Sequence, residues 1–377
     1  MDIAYLSPYV YPFSKGGAEK RIHEIGSRLS NRGHDVTVYT RKSWEGAEIQ
    51  EHAGITLQSI GPDRDLYTDK DGRRSVTAAL KFAIRAAIPI IRYGEEHDIL
   101  VTPVAPYFHV LTSQLAGSLQ ETPLVVTWHE VWDDYWYDYM GRTGSIGKLV
   151  EGVVGNVPHS PVAPSKMTAR KFHELPGTDQ KVTVIPNGID TTRIEDIEPK
   201  SEGFDLLYAG RLIKDKNIDL LMEAFNRLDN DVTLGIIGDG PQRRALHKKA
   251  ENLDCRDQIT FLGFLEEYND VLAHMQAADI FASPSVREGF GITFLEAMMA
   301  DCTVITVDHP NSAGSEVVKN AGFVTAPTVN AIANAIDRAI KGEEPPTDPI
   351  SRAKKFDWDR IAIETEEYFQ TIAKNDN

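Results

Sequence analysis

The sequence predicts an α/β protein made of two doubly wound parallel-sheet domains. Three observations predict it. Short apolar runs rich in β-branched residues alternate with amphipathic segments. Those runs lack a polar face, as parallel strands covered on both sides do. The alternation then restarts after Pro186-Asn187-Gly188-Ile189-Asp190, in a chain of 377 residues that is long enough for two cores.

The first half opens with a strand over Ile3 to Leu6, a loop through Glu19 and a helix to about Arg32. Ile22, Ile25 and Leu29 give that helix an apolar face, and Gly33 suits a left-handed stop. Strands follow at Asp35 to Thr40 and Ile55 to Ile60, then a long helix over 76–93. Further strands are expected at Ile99 to Val104, Leu124 to His129, Ser160 to Ala163 and Val182 to Ile185. The polar stretch 191–203, with Pro199, reads as a linker. The second set of strands is expected at Asp205 to Ala209, Val232 to Ile237, Gln258 to Leu262, Asp279 to Ala282 and Thr303 to Val307. Helices are expected at 217–228 and 241–253, and a last one over 358–372.

Composition narrows the function. A net charge of −16 argues against general nucleic-acid binding, which needs a basic footprint. Two cysteines, Cys255 and Cys302, suggest packing residues in a reducing compartment rather than a disulfide framework. The N-terminus enters a strand without a signal-peptide pattern, and no run is long enough to span a bilayer. A cytoplasmic protein is expected. Peripheral contact with a membrane face is kept in view. Helix 78–93 carries Lys81, Arg85 and Arg92 among apolar residues, which suits a bilayer interface or a half-buried helix with snorkelling cations.

The candidate chemistry lies just after strands, at the edge where open α/β sheets bind ligands, in a cleft expected between the domains. Glu288-Gly289-Phe290-Gly291 and Glu296 put two carboxylates eight residues apart around a glycine turn. Carboxylates accept hydrogen bonds from vicinal hydroxyls of a sugar or ribose. Thr293-Phe294-Leu295-Glu296 also reads as a capping box, in which Glu296 only closes a helix. Gly210-Arg211 through Lys216-Asn217 offers cations for a diphosphate, or a solvated basic loop. Gly16-Gly17, before a helix, could hold a phosphate or be a plain turn. His129 could hydrogen-bond a sugar or move a proton, or be structural. The aromatic run from Trp128 to Tyr139 suits sugar stacking, a membrane interface or a core. Gly238-Asp239-Gly240-Pro241 is most simply a turn. Asp63-Arg64-Asp65, Asp69-Lys70-Asp71 and Asp357-Trp358-Asp359 read as surface charge, and no ligand grouping asks for a metal.

Together these loops resemble glycosyltransferase family 4, the glycosyl transferases of group 1. The resemblance rests on Gly16-Gly17-Ala18-Glu19, Trp128-His129, Pro164-Ser165, residues 185–190, Gly210-Arg211 with Lys216, residues 238–241, Phe261-Leu262-Gly263-Phe264, Pro284-Ser285 and the loop from Glu288 to Glu296. It implies the GT-B fold, with an acceptor-binding domain over 1–190, a donor-binding domain over 191–357 and a C-terminal helix, 358–377, crossing back to the first domain. It implies retaining transfer from a UDP- or GDP-linked sugar to a glycan or lipid-linked acceptor, without metal or cofactor. Arg211 and Lys216 would take the pyrophosphate. Glu296 would hold the ribose, and Glu288, with Gly289, Phe290 and Gly291, the sugar. Gly16 and Gly17 would touch phosphate, His129 would lie beside the transferred sugar, and Phe264 and Leu265 would line the base. Asn217 departs from the family, where glycine often follows the lysine. A sugar-nucleotide epimerase and a non-catalytic nucleotide-sugar-binding protein are the alternatives.

Overall fold

The computed structural model describes residues 1–14, 16–62, 76–93, 96–228 and 231–375. Two of the Asp-x-Asp pairs, at 63–65 and 69–71, lie outside the described residues. The chain forms two compact units. One is Met1–Pro186 with Trp358–Asn377, and the other is Asn187–Asp357.

In the first unit the elements are β1 (Asp2–Leu6), α1 (Gly17–Asn31), β2 (Asp35–Lys42), β3 (Ile49–His52), β4 (Ile55–Pro62), α2 (Val76–Tyr93) and β5 (Ile99–Pro103). They continue as α3 (Phe108–Gln120), β6 (Leu124–Thr127), α4 (Tyr135–Met140), α5 (Gly144–Asn156), β7 (Ser160–Ala163), α6 (Lys166–His173) and β8 (Thr183–Val184). The sheet order is β3-β4-β2-β1-β5-β6-β7-β8. Its central strands β5 and β6 are buried throughout, which is why they read as unbroken apolar runs. Gly33, at φ +88°, stops α1: its N–H donates to the Ser30 carbonyl and that of His34 to the Leu29 carbonyl.

One edge strand departs from the parallel expectation. β3 pairs antiparallel with β4 through a turn at Ala53 and Gly54, both at positive φ. Its sequence, Ile-Gln-Glu-His, is mostly polar because a sheet edge faces solvent, so it carries no buried-strand signal.

The second unit runs α7 (Thr191–Glu195), β9 (Leu206–Ala209), α8 (Ile218–Phe225), β10 (Leu234–Ile237), α9 (Arg243–Ala250), β11 (Ile259–Gly263), α10 (Tyr268–Gln276) and β12 (Ile280–Ser283). It ends with α11 (Ile292–Met299), β13 (Thr303–Val307), α12 (Gly314–Val318), β14 (Gly322–Thr325), α13 (Val329–Ile340) and α14 (Pro349–Ala353). Its sheet is parallel, in the order β11-β10-β9-β12-β13-β14. The stretch expected as a linker begins with α7, whose first turn is capped by the Asp190 carboxylate accepting from the Arg193 N–H at 3.0 Å.

The unit boundary falls before Asn187 rather than after Asp190. The Ile189 N–H donates to the Phe356 carbonyl at 2.8 Å, and the Thr191 hydroxyl to Asp357 at 2.5 Å. These bonds tie both ends of the second unit together. The chain then returns to the first unit as α15 (Trp358–Asn375). Trp358, Ile361 and Phe369 share an apolar cluster with Ile22, Ile25 and Leu29 of α1. Arg28 pairs with Asp359, and Arg32 and His34 with Glu366. Asp359 and Asp357 are thus occupied by protein partners.

Candidate active site

In the second sheet the chain leaves β9 toward β10 and β11, then crosses to β12 on the other side. Loops after β9 and β12 therefore part at a topological switch point, where open α/β sheets leave room for a ligand. The switch brings together two of the sequence candidates, Gly210–Asn217 and Pro284–Gly291.

These loops are bonded to one another. The Val286 N–H donates to the Asp215 carbonyl at 3.0 Å, and the Asn217 side chain to the Pro284 carbonyl at 3.2 Å. The Lys216 ammonium meets the Glu288 carboxylate, with both side chains about four-fifths covered. The Glu288 backbone is clamped from a third loop: its N–H donates to Asn311 O at 3.1 Å, and its carbonyl accepts from the Ala313 N–H at 2.8 Å. The carboxylate is held by the fold rather than by its neighbours in sequence.

Backbone shape explains two sequence details. Asn217 adopts φ +49° after the single turn that carries Lys216. Asparagine is among the few residues besides glycine that visit this region, so the departure from the family pattern preserves the conformation. Gly291 sits at φ +87°, and a Cβ there would lie 2.4 Å from the Phe294 ring.

Gly291 is also the N-cap of α11, with no side-chain cap. The helix starts at Ile292, so Thr293 is inside it and the capping-box reading of Glu296 fails. Glu296 is 2% exposed and accepts a hydrogen bond from the Tyr268 hydroxyl of α10. Tyr268 is a site residue that motif reading misses, because it lies 28 positions away and joins only through helix packing.

Arg211 is exposed at the start of its loop. The loop is braced from behind. Gly210 N–H donates to Ile237 O, Leu212 N–H to Asp239 O, and a Cβ on Gly238 would fall 1.9 Å from Gly210 O. The 238–241 turn thus supports the cationic loop. Gly238 N–H in turn donates to Gly263 O at 2.7 Å, which continues the row to Phe264. Phe264 is 59% exposed, while Leu265 is half-buried against the core.

The first unit has its own switch point, between β1 and β5. Gly16 is the extended N-cap of α1, and a Cβ on it would run into the Glu19 carboxylate. A Cβ on Gly17 would meet nothing within 4 Å. His129 lines a cavity of about 20 Å³ with Tyr5, Arg21, Thr127 and Thr365. That is room for about one water, not a sugar ring. Arg21 was not singled out by the sequence. It is buried, donates to the Pro186 carbonyl at 2.7 Å, and burial pulls its pKa down to about 10.

The aromatic run is mostly core. Trp128 is fully buried, and Trp132, Trp136 and Tyr139 pack on one another. The buried Glu151 organises them, accepting from the Trp132 and Asp133 N–H groups, the Tyr107 hydroxyl and the Trp136 indole. Burial pushes its pKa up. Among the described residues there is no metal-binding cluster of His, Cys, Asp and Glu, and no helix long and apolar enough to cross a membrane.

Two family descriptions match in tandem: "Glycosyltransferase Family 4" over residues 15–193 and "Glycosyl transferases group 1" over residues 190–356. The chain belongs to the group 1 glycosyltransferases. Alpha-monoglucosyldiacylglycerol synthase of Streptococcus pneumoniae is 25% identical over 82% of this chain and 72% of its own. The matching phosphatidylinositol N-acetylglucosaminyltransferase subunit of Arabidopsis thaliana is 29% identical over 100% of this chain and 83% of its own. The structure of Anabaena HepE in complex with UDP-glucose has a TM-score of 0.74 at 20% identity, covering 98% of this chain and 100% of that one. The transferase has the GT-B α/β fold, and the epimerase and non-catalytic readings give way to sugar transfer.

Proposed function

We propose that the transferase moves a sugar, with retention, from a nucleotide-diphosphate sugar to a glycan or lipid-linked hydroxyl, and needs no metal ion. The observation that carries this is the meeting of Lys216 and Glu288 at the switch point of the second sheet. HepE, of like fold, was solved with UDP-glucose, and the names of the two relatives contain the lipids diacylglycerol and phosphatidylinositol.

In the reaction the bond between C1 and the diphosphate oxygen breaks as C1 bonds to the acceptor oxygen on the same face. The acceptor proton passes to the departing diphosphate. Charge grows on that diphosphate, and preorganised cations stabilise it. Arg211 and Lys216 fill this role. An ammonium has three donors, so Lys216 can keep Glu288 and still donate to a phosphate oxygen. Glu288 accepts from the donor sugar's hydroxyls, within the backbone of Gly289, Phe290 and Gly291. A carboxylate has about four acceptor positions, so Tyr268 leaves Glu296 capacity for a ribose. Phe264 and Leu265 flank the base. For the first unit the family resemblance assigns Gly16-Gly17 to phosphate and His129 to a sugar hydroxyl, and both lie just after strands of its own sheet.

A thermal-shift panel of UDP-, GDP- and ADP-sugars tests the donor class. A true donor at 100 times its Kd adds about 2.7 kcal/mol of stability. Transfer to a lipid acceptor is then followed by mass spectrometry, with the product's anomeric configuration read by NMR. Transfer that stops in EDTA, or an inverted product, refutes the corresponding part.

A further inference from the structure

Exposed apolar side chains are concentrated on one face of the first unit. α2, α3, α4 and α5 share one apolar cluster on the same side of the sheet. α2 and α3 lie side by side: the Thr112 hydroxyl donates to Ala83 O at 3.1 Å, and the Gln120 side chain to Ile90 O at 3.3 Å. Phe82, Ala86 and Ile90 turn inward from α2 and satisfy the core. The opposite side of the same helix is also apolar. Leu80, Ile84, Ile88 and Ile91 recur every three or four residues and are exposed, Ile88 at 76%. α3 adds Leu115 and Leu119, the latter at 63%. α5 adds Ile146, Leu149 and Val153, with Leu149 at 67%. Elsewhere among the described residues, large exposed apolar side chains are scattered, as on any soluble surface.

The charge on this face is as distinctive as its apolarity. The whole chain carries 56 Asp and Glu against 40 Lys and Arg. Yet α2 holds Lys81, Arg85 and Arg92 and no carboxylate, and α3 has no Lys, Arg, Asp or Glu. In α5, Lys148 is paired with Asp133 and Asp134, and the sole carboxylate, Glu151, is buried, so the cations left to this face are those of α2. Lys81 and Arg85 are each one position beyond an exposed aliphatic, so a row of cations borders the apolar stripe.

We propose that this helical face docks on an anionic lipid bilayer. Aliphatic side chains enter the boundary between headgroups and acyl chains, while the flanking cations meet lipid phosphates. Tyr137, exposed on α4, suits the headgroup level. A second copy of the chain fits less well, because it would set these cations against cations. The inference stands on the exposed face and does not depend on the donor assignment.

The full chain is sedimented with vesicles of phosphatidylcholine, and with vesicles of phosphatidylcholine and phosphatidylglycerol. It pellets with the anionic vesicles, and the bound fraction falls as salt rises. Each cation removed, as in Lys81→Ala and Arg85→Ala, weakens binding about fivefold. Ile84→Glu with Ile88→Glu leaves the protein in the supernatant, while its melting temperature stays near wild type because both positions are exposed. A wild-type chain that ignores anionic vesicles overturns the proposal. So does a well-folded Ile84/Ile88 variant that pellets as wild type does, or a concentration-dependent dimer that the same changes disperse. No sugar donor enters this assay and no lipid enters the donor panel, so the two readings fail separately.

Discussion

The two switch points are built on opposite principles. In the second unit, Lys216 and Glu288 are charged, partly accessible and paired, on loops clamped by three backbone partners. In the first unit the switch region presents glycine backbone at Gly16-Gly17 and a half-buried His129. Its nearby cation, Arg21, is sunk into the interior against a carbonyl. Charge that must respond to a ligand keeps access to it, while buried charge serves packing. One switch point presents paired charge, and the other presents glycine backbone.

The largest expected effect tests the charged pair. Lys216→Ala should lower the transfer rate about 10²–10³-fold, as loss of a preorganised donor to a developing anion does. Initial rates read this, and a variant that turns over normally would remove Lys216 from the mechanism. Arg21→Met should do the reverse. It leaves the Pro186 carbonyl unsatisfied and should cost about 1–3 kcal/mol of stability in urea unfolding, with the rate of the folded fraction little changed.

The glycines extend the contrast. Gly291→Ala puts an alanine at φ +87° against the Phe294 ring, so the unfolding free energy should drop by more than the roughly 1–2 kcal/mol of left-handed strain alone. Gly17→Ala should instead stabilise the fold by about 0.4–1 kcal/mol, through the unfolded chain, while weakening donor binding. Calorimetry on both variants, with and without donor, separates packing from binding. If Gly17→Ala leaves donor affinity intact, the first unit's backbone is not part of the site.

The smallest effect concerns pH. His23 packs its ring on Tyr11 and His52, and burial pulls its pKa down to about 4. Between the ordinary value of about 6.5 and that value the unfolded chain binds the proton and the folded chain does not. Stability contributed by neutral His23 is therefore present above about 6.5 and is lost as pH falls toward 4. Melting temperatures from pH 7 to 4.5 should fall less steeply in His23→Gln, and equal slopes would exclude this residue.

Strand-helix alternation made both parallel sheets legible in the chain, because buried strands must be apolar on two faces and helices on one. Gly33 and Gly291 were legible as punctuation, since few residues adopt positive φ, whereas the left-handed turn at Asn217 emerged only in the structure. The polar edge strand at Ile49–His52 was not legible either, because solvent-facing edges shed the apolar signature. The sequence also brought Glu288 and Lys216 to notice as separate loops. Only the tertiary structure decided that they touch, that Glu296 does not cap α11 but pairs with Tyr268, and that Trp358 closes the first unit. It also decided which side of α2 is covered. Ile90 and Ile88 are the same residue type two positions apart, yet one fills a core and the other faces outward. Local pattern specifies what a segment can bury. What it does bury depends on neighbours that arrive from distant parts of the chain.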